Sequence, residues 1–442
     1  MRLQSAFRFV RLALTLSAAF LPWHAPAQTN YYWSKSVASL VDSGSPQGVA
    51  VDVAGNIYIA DANKHVILRV TPAGTNWLVS TIAGLAGVSG PNDGTNSAAR
   101  FFGPGGVAVD TAGNVYIADT GNNAIRKITP SGTNWIVTTI AGVAGAPAGF
   151  GDGTNAAVRF ATPQGIAVDI AGNLFVSDDA AIIRKISHSG TNWIVTTIAG
   201  ADGNGGYNDG TNAAAQFFYP FGVAVDAADN VYVADAANNA IRQVIPSGTN
   251  WIVTTIGGQP GDSNSTSGSD DGLTNASRFW FPVGVAVDAD GNVYVADENN
   301  SIVREIIPTG GNWNTVTIGG SAGAGGNADG TNITAAFISP SGVAVDALGN
   351  VFVVDNFNNN LRLGQIFPPP LQIRHVSKQM SIFYRFADGT NLNFTLQSTT
   401  NLNDGNWGDV TNGWKLDTNG VAFVTLTPTN KVPSVFFRLL QP

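Results

Sequence analysis

Acid–base or metal chemistry would have to come from very few side chains in this chain of 442 residues. Cys is absent, which removes thiolate nucleophiles, thiolate metal ligands and disulfides together. Beyond residue 27 the His residues are His65, His188 and His375, and the Glu residues are Glu298 and Glu305. The three His fall in a loop, a turn and a separate C-terminal segment. They cannot converge on a zinc ion or build a His-based nucleophile. What remains is Asp and Asn at recurring positions. One series is Asp61, Asp119, Asp178, Asp235, Asp297 and Asp355, and a second is Asp93, Asp152, Asp209, Asp271 and Asp329, each followed by Gly. Asn pairs accompany them and include Asn123, Asn239, Asn300 and Asn359. Such side chains can bond nearby backbone N–H groups and hold turns, or they can form an acidic, amide-rich surface for a cation, a sugar or a basic peptide. Repetition speaks for the structural job, because a single site on an axis would draw different residues from different repeats.

The elements that carry these residues repeat six times. Gly-Val-Ala-Val-Asp, or Gly-Ile-Ala-Val-Asp, begins at Gly48, Gly106, Gly165, Gly222, Gly284 and Gly342, at intervals of 57 to 62 residues. In the second unit Val115-Tyr-Ile-Ala-Asp119, Ala124-Ile-Arg126-Lys-Ile128 and Trp135-Ile-Val-Thr-Thr-Ile140 follow in order. A glycine-rich connection with Asp152-Gly-Thr-Asn155 and Phe160 leads on. These short runs of β-branched and aromatic residues between Gly, Asn and Pro turns read as four antiparallel strands. The Asp110-Thr-Ala-Gly113-Asn114 turn needs a positive φ at Gly113, and in the fourth unit Asp229 takes that place, one of the few side chains that tolerate it. Four strands repeated about a ring describe a β-propeller of six blades. Trp77, Trp135, Trp193, Trp251 and Trp313 mark the fourth strand of blades one to five, and blade six lacks one. The segment from Thr29 to Leu40, centred on Trp33, resembles Thr133-Asn-Trp135-Ile-Val-Thr-Thr-Ile140, so the N-terminal strand is expected to close the last blade; an open or seven-bladed ring is the alternative. First strands running downward beside the axis place the Asp61 series and the long connections together on the upper face.

Composition agrees. Charged residues are 12% and Gly counts 52, against roughly 25% charged and 7% Gly in average domains, which excludes disorder, coiled coils and helical solenoids. Asp+Glu outnumber Lys+Arg by 30 to 22, a net charge of -8, which repels phosphate backbones, so no nucleic acid partner is expected. Arg2, Arg8 and Arg11, the apolar run 12–21 and Ala25-Pro26-Ala27 read as an export signal over residues 1–27. No later stretch is long and apolar enough for a transmembrane segment. Secretion or a cell-surface location is the expectation.

The phased motifs Gly-Val-Ala-Val-Asp, Gly-Asn-Val-Tyr-Val-Ala-Asp and Asn-Asn-x-Ile-Arg resemble the NHL repeat, over residues 29–366. The connections are similar to those of bacterial NHL propellers and of teneurins. The resemblance implies a six-bladed propeller and admits several functions. Relatives with amidating-lyase activity use His-ligated zinc, which the scattered His exclude here. Some six-bladed propellers are Ca²⁺-dependent lactonases or esterases with the ion in the central tunnel. No cofactor is predicted, Ca²⁺ being the one possibility, and an enzyme is disfavoured by the lack of any converging acid set. RNA binding, known for some animal NHL propellers, is disfavoured because Arg69, Arg126, Arg184, Arg242, Arg304 and Arg362 stand singly, one per blade, and fit interblade ion pairs. The expected partner is a protein, a peptide or a glycan, met by Asp61, Asp119, Asp178, Asp235, Asp297, Asp355, Asn123, Asn239, Asn300 and Asn359 on the upper face; besides the lactonase, the alternative is an envelope or adhesive spacer in which neither face binds specifically. Residues 28–366 are expected as the propeller, 367–370 as a Pro-rich linker and 371–442 as a small β-sandwich-like domain.

Overall fold

Val107–Val109, Val115–Asp119, Ala124–Ser131 and Asn134–Ala141 pair antiparallel in sequence order, and the same arrangement repeats around a ring of six sheets. The computed structural model describes residues 30–366 apart from 38, 39, 41–43, 75, 180 and 262–265, together with strands between 372 and 440. The expected export signal and the Pro-rich linker lie outside the described residues. Residues Asn30–Ile366 form one compact unit, an all-β six-bladed propeller. Beyond it, Gln372–Val376, Gln379–Arg385, Val421–Leu426 and Trp414–Leu416 form one sheet, and Gly408–Asp409, Thr395–Thr399 and Phe436–Leu440 another. No described helix is long and apolar enough to cross a membrane.

The ring closes as the repeat count requires. Tyr31–Val37 pairs with Asn360–Ile366 and becomes the outer strand of blade six. Closure leaves no open sheet edge between the first and last blades. A departure from four strands also emerges. Gly94–Thr95, Gly153–Thr154, Gly210–Thr211, Gly272–Leu273 and Gly330–Thr331 each add a two-residue fifth strand to the blade that follows. Blade one has four strands, because the chain enters it from Val37 and not from such a connection.

Apolar residues alternating along each strand fill the spaces between blades, as in the cluster of Tyr116, Ala118 and Ile140 with Ile166, Leu174 and Val176. Each half-buried fourth-strand Trp meets the second-strand ring of the preceding blade edge-on, as in Tyr116 with Trp193 at 6.2 Å and Phe352 with Trp77 at 6.3 Å. The Trp residues are packing elements. Asp229 sits at φ 63°, as its turn demands. The first strands approach one another at the axis so closely that a Cβ on Gly106 would lie 2.6 Å from the Gln164 carbonyl oxygen, which explains the Gly that opens every unit.

Candidate functional site

The six-fold acids are consumed inside the blades. Asp119 has no exposed surface. Its Oδ1 accepts the Phe102 amide at 2.9 Å, and its Oδ2 accepts Asn122 at 2.8 Å and Arg126 at 2.6 Å. The other guanidinium nitrogen of Arg126 reaches Asp93 at 2.8 Å, and Asp93 in turn accepts the Thr139 amide and hydroxyl. The guanidinium lies 5.3 Å from the Phe101 ring. Blades three to six repeat this unit through Arg184, Arg242, Arg304 and Arg362, each bridging a buried Asp (Asp178, Asp235, Asp297, Asp355) and a connection Asp (Asp152, Asp209, Asp271, Asp329). Each Arg therefore ties a connection into its own blade, and interblade pairing is corrected to that extent. Burial pushes the carboxyls of Asp119 and Asp297 up to about 6, against the pull of Arg126 and Arg304.

Blade one departs. Asp61 is equally buried and accepts the Ser45 and Lys64 amides, but its Arg is out of phase. Ile59 faces Leu68, whereas Ile117 faces Arg126. Arg69 is one residue further along, opposite Tyr58, and lies 5.9 Å over the Trp135 ring. Strand side chains alternate between faces, so a one-residue offset sends the side chain to the other side.

The Asn residues are likewise engaged. Asn123, Asn239 and Asn359 hold left-handed positions with φ between 50° and 54°. Asn123 Oδ1 accepts the Thr162 amide at 2.9 Å and Asn239 Oδ1 the Phe281 amide at 2.8 Å, stitching each blade to the next. Asn300 sits one position earlier, where Asn122 and Asn238 bond the buried Asp, and it bonds Asp297 in the same way. Of the ten expected contact residues, the six Asp end the second strands and are wholly buried, and the four Asn sit in the turns that follow. What the face displays is their neighbours.

Of the loop positions beside them, Ala62, Gly103 and Thr120 line an axial cavity of about 310 Å³, which Phe221 also borders. The residue after each buried Asp is Ala62, Thr120, Asp179, Ala236, Glu298 or Asn356, and it changes from blade to blade. The pair before the corresponding Pro also varies over blades one to six: Gly44-Ser45, Phe102-Gly103, Ala161-Thr162, Phe218-Tyr219, Trp280-Phe281 and Ile338-Ser339. Phe102, Phe218, Tyr219 and Trp280 are 46–49% exposed. Tyr219 and Phe281 hold φ of 52° and 54°, a backbone region costly for bulky side chains. The Phe218 and Tyr219 ring centroids are 5.2 Å apart, and those of Phe221 and Phe281 5.8 Å. Burial raises the Glu298 carboxyl to about 7. Burial also raises that of Asp179, opposed by a 3.1 Å hydrogen bond from the Thr162 hydroxyl. Sequence reasoning passed over these residues because it followed what repeats; the signal was failure to repeat at a fixed register.

Gln47, Gln164, Thr120 and Ser341 supply side-chain oxygens to the cavity lining, which contains no carboxylate. No cluster of three His, Asp or Glu side chains able to hold a metal occurs among the described residues. Ca²⁺ takes six to eight oxygens with carboxylates commonly among them, and this lining offers no carboxylate for an axial ion.

Sheet topology and the repeated ladder together define a six-bladed β-propeller. The NHL-repeat family model matches residues 101–128 and 279–304, in blades two and five, so the chain carries NHL repeats. Among curated proteins, it is 26% identical over 324 residues to Protein SUPPRESSOR OF QUENCHING 1, chloroplastic, of Arabidopsis thaliana, covering 72% of this chain and 30% of that protein. It is 28% identical over 292 residues to NHL repeat-containing protein 2 of Homo sapiens, covering 59% and 38%. The chain thus spans well under half the length of these two relatives. Among solved structures, an auxiliary nutrient binding protein from Bacteroides thetaiotaomicron superposes with a TM-score of 0.54 at 13% identity, over 76% of each chain. Another auxiliary nutrient binding protein, from Bacteroides ovatus, gives 0.54 at 15% identity, over 76% of this chain and 77% of that one. At these identities the likeness is one of fold.

Proposed function

We propose that the chain is an exported binding protein that takes a protein, peptide or glycan on the upper face of its propeller. One observation carries the reading: around the axial mouth the repeated polar groups are already bonded, while the positions beside them vary and expose aromatic side chains. Exposed aromatic surface at a rigid mouth is the ordinary material of recognition. The fold shared with two nutrient binding proteins of Bacteroides and the leader-like residues 1–27 support the same reading. The segment 371–442 acts as a spacer or surface-attachment module in this proposal.

Screening of the full chain against peptide and glycan arrays tests it. Hits should be lost in a Phe218→Ala/Trp280→Ala variant. They should survive in a variant with Ser at Val53, Ile170 and Leu348, exposed residues of the opposite-face hairpin tips. Loss in the second variant and survival in the first would overturn the reading.

A further inference from the structure

The mouth is chemically lopsided. An arc over blades three, four and five holds Asp179, then Phe218, Tyr219 and Phe221, then Trp280, Phe281 and Glu298. Backbone bonds fix the arc. The Asn299 amide donates to the Trp280 carbonyl at 3.2 Å and sets Glu298 beside the Trp280–Phe281 turn, and the Asp179 amide donates to the Ala161 carbonyl at 3.1 Å. Glu298 has neither a hydrogen bond nor an ion pair from its side chain among the described residues. Arg159 and Arg278 stand in the connections of this arc, but their guanidinium groups fold back on their own connections, Arg159 donating to the Ala156 and Val158 carbonyls and Arg278 to the Asn275 and Ser277 carbonyls and the Gln259 side chain, and among the described residues neither pairs with Asp179 or Glu298. Lys64 and His65 belong to blade one, across the ring from blade four.

We infer that this arc binds a basic peptide segment, with a Lys or Arg cation meeting Glu298 or Asp179 while its aliphatic stem lies on Trp280 and Phe218. The inference rests on the upper-face reading above and narrows it. A half-buried carboxylate without a counter-charge gains most from a cation, which a neutral sugar would not supply. Aromatic faces beside it add attraction for the same cation and cover for its methylene stem. Tyr219 and Phe281 occupy strained backbone positions where blade two uses Gly103, and half-exposed Tyr219 returns little packing for that cost. An acidic segment or a phosphate would meet repulsion.

Titration of the full chain by calorimetry tests this, with an acetylated, amidated nonapeptide alternating Lys and Leu as probe. The Glu-for-Lys version, chitohexaose and cellohexaose complete the set. The Lys peptide should bind, weaken with salt, and lose about tenfold in affinity in Glu298→Gln and again in Trp280→Ala, with melting unchanged in both. The Glu peptide should not bind. Equal binding of the Lys peptide by wild type and by a Glu298→Gln/Asp179→Asn variant overturns the inference. So does binding of none of the probes. A hexasaccharide bound in preference to the Lys peptide, and lost in Trp280→Ala, overturns the peptide assignment while leaving the upper face as the binding face. Lys-peptide binding that survives Trp280→Ala but fails in the Val53/Ile170/Leu348 variant removes both readings.

Discussion

Ring closure depends on a size exchange that a double-mutant cycle can measure. On the outer edge of each blade a third-strand residue faces a fourth-strand residue directly: Ile128 with Val137, Ile186 with Val195, Val244 with Val253. At the closing blade the pair is Gly364 with Trp33. The Trp33 ring is wholly buried, donates Nε1–H to the Ile318 carbonyl at 2.8 Å and meets Phe337 edge-on at 5.2 Å. A Cβ on Gly364 would lie 2.7 Å from that ring, so the glycine is there because the indole is. Trp33→Val alone leaves a cavity and an orphaned carbonyl, costing about 3 kcal/mol or more. Gly364→Ile alone overpacks the same space at about 2 kcal/mol. The double variant rebuilds the Ile–Val pair of blades two and three and should return to within about 1 kcal/mol of wild type. The coupling is then about 4 kcal/mol, above the usual range for neighbours. Guanidinium unfolding of the four proteins at constant m measures it. A double variant as unstable as the two single losses added together would refute the account of closure.

Arg242→Ala strands the buried Asp235 and should cost about 3 to 5 kcal/mol, whereas Arg69→Ala, out of phase with its Asp, should cost about 1 kcal/mol or less; chemical denaturation compares them. Glu305 is buried with one oxygen unpartnered among the described residues, and burial, then the nearby Asp288 charge, push it up to about 7 against the opposing Tyr294 hydroxyl. Because its folded pKa is raised from 4.5, stability should fall as pH rises from about 4.5 to 7, by about 3 kcal/mol. Glu305→Gln should flatten that slope, and melting temperature against pH reads it. Removing residues up to Val37 strips the outer strand from blade six, and calorimetry should show a lower, less cooperative transition.

The fold was legible because a propeller is a local pattern written six times. Asp229 in the place of a turn Gly, the missing sixth Trp and a closing strand around Trp33 all follow from strand periodicity and turn chemistry, which depend on neighbours in sequence. The short fifth strands were not legible, since Gly-Thr alone has no strand signature until the next blade offers it an edge. Nor was the fate of the repeated acids: turn-holding, the bland reading of Asp and Asn, gave part of it, but the Arg–Asp ladder joins residues such as Asp93 and Arg126 that meet only in three dimensions. Register settled the difference between Arg69 and Arg126, because one position along a strand changes which face a side chain occupies. By itself the sequence determined how many blades there are, which way each strand runs and how the ring is fastened. Tertiary structure alone decided which polar groups are spent inside the blades and which aromatic and acidic side chains are left facing solvent, because burial is a property of what the other blades bring alongside.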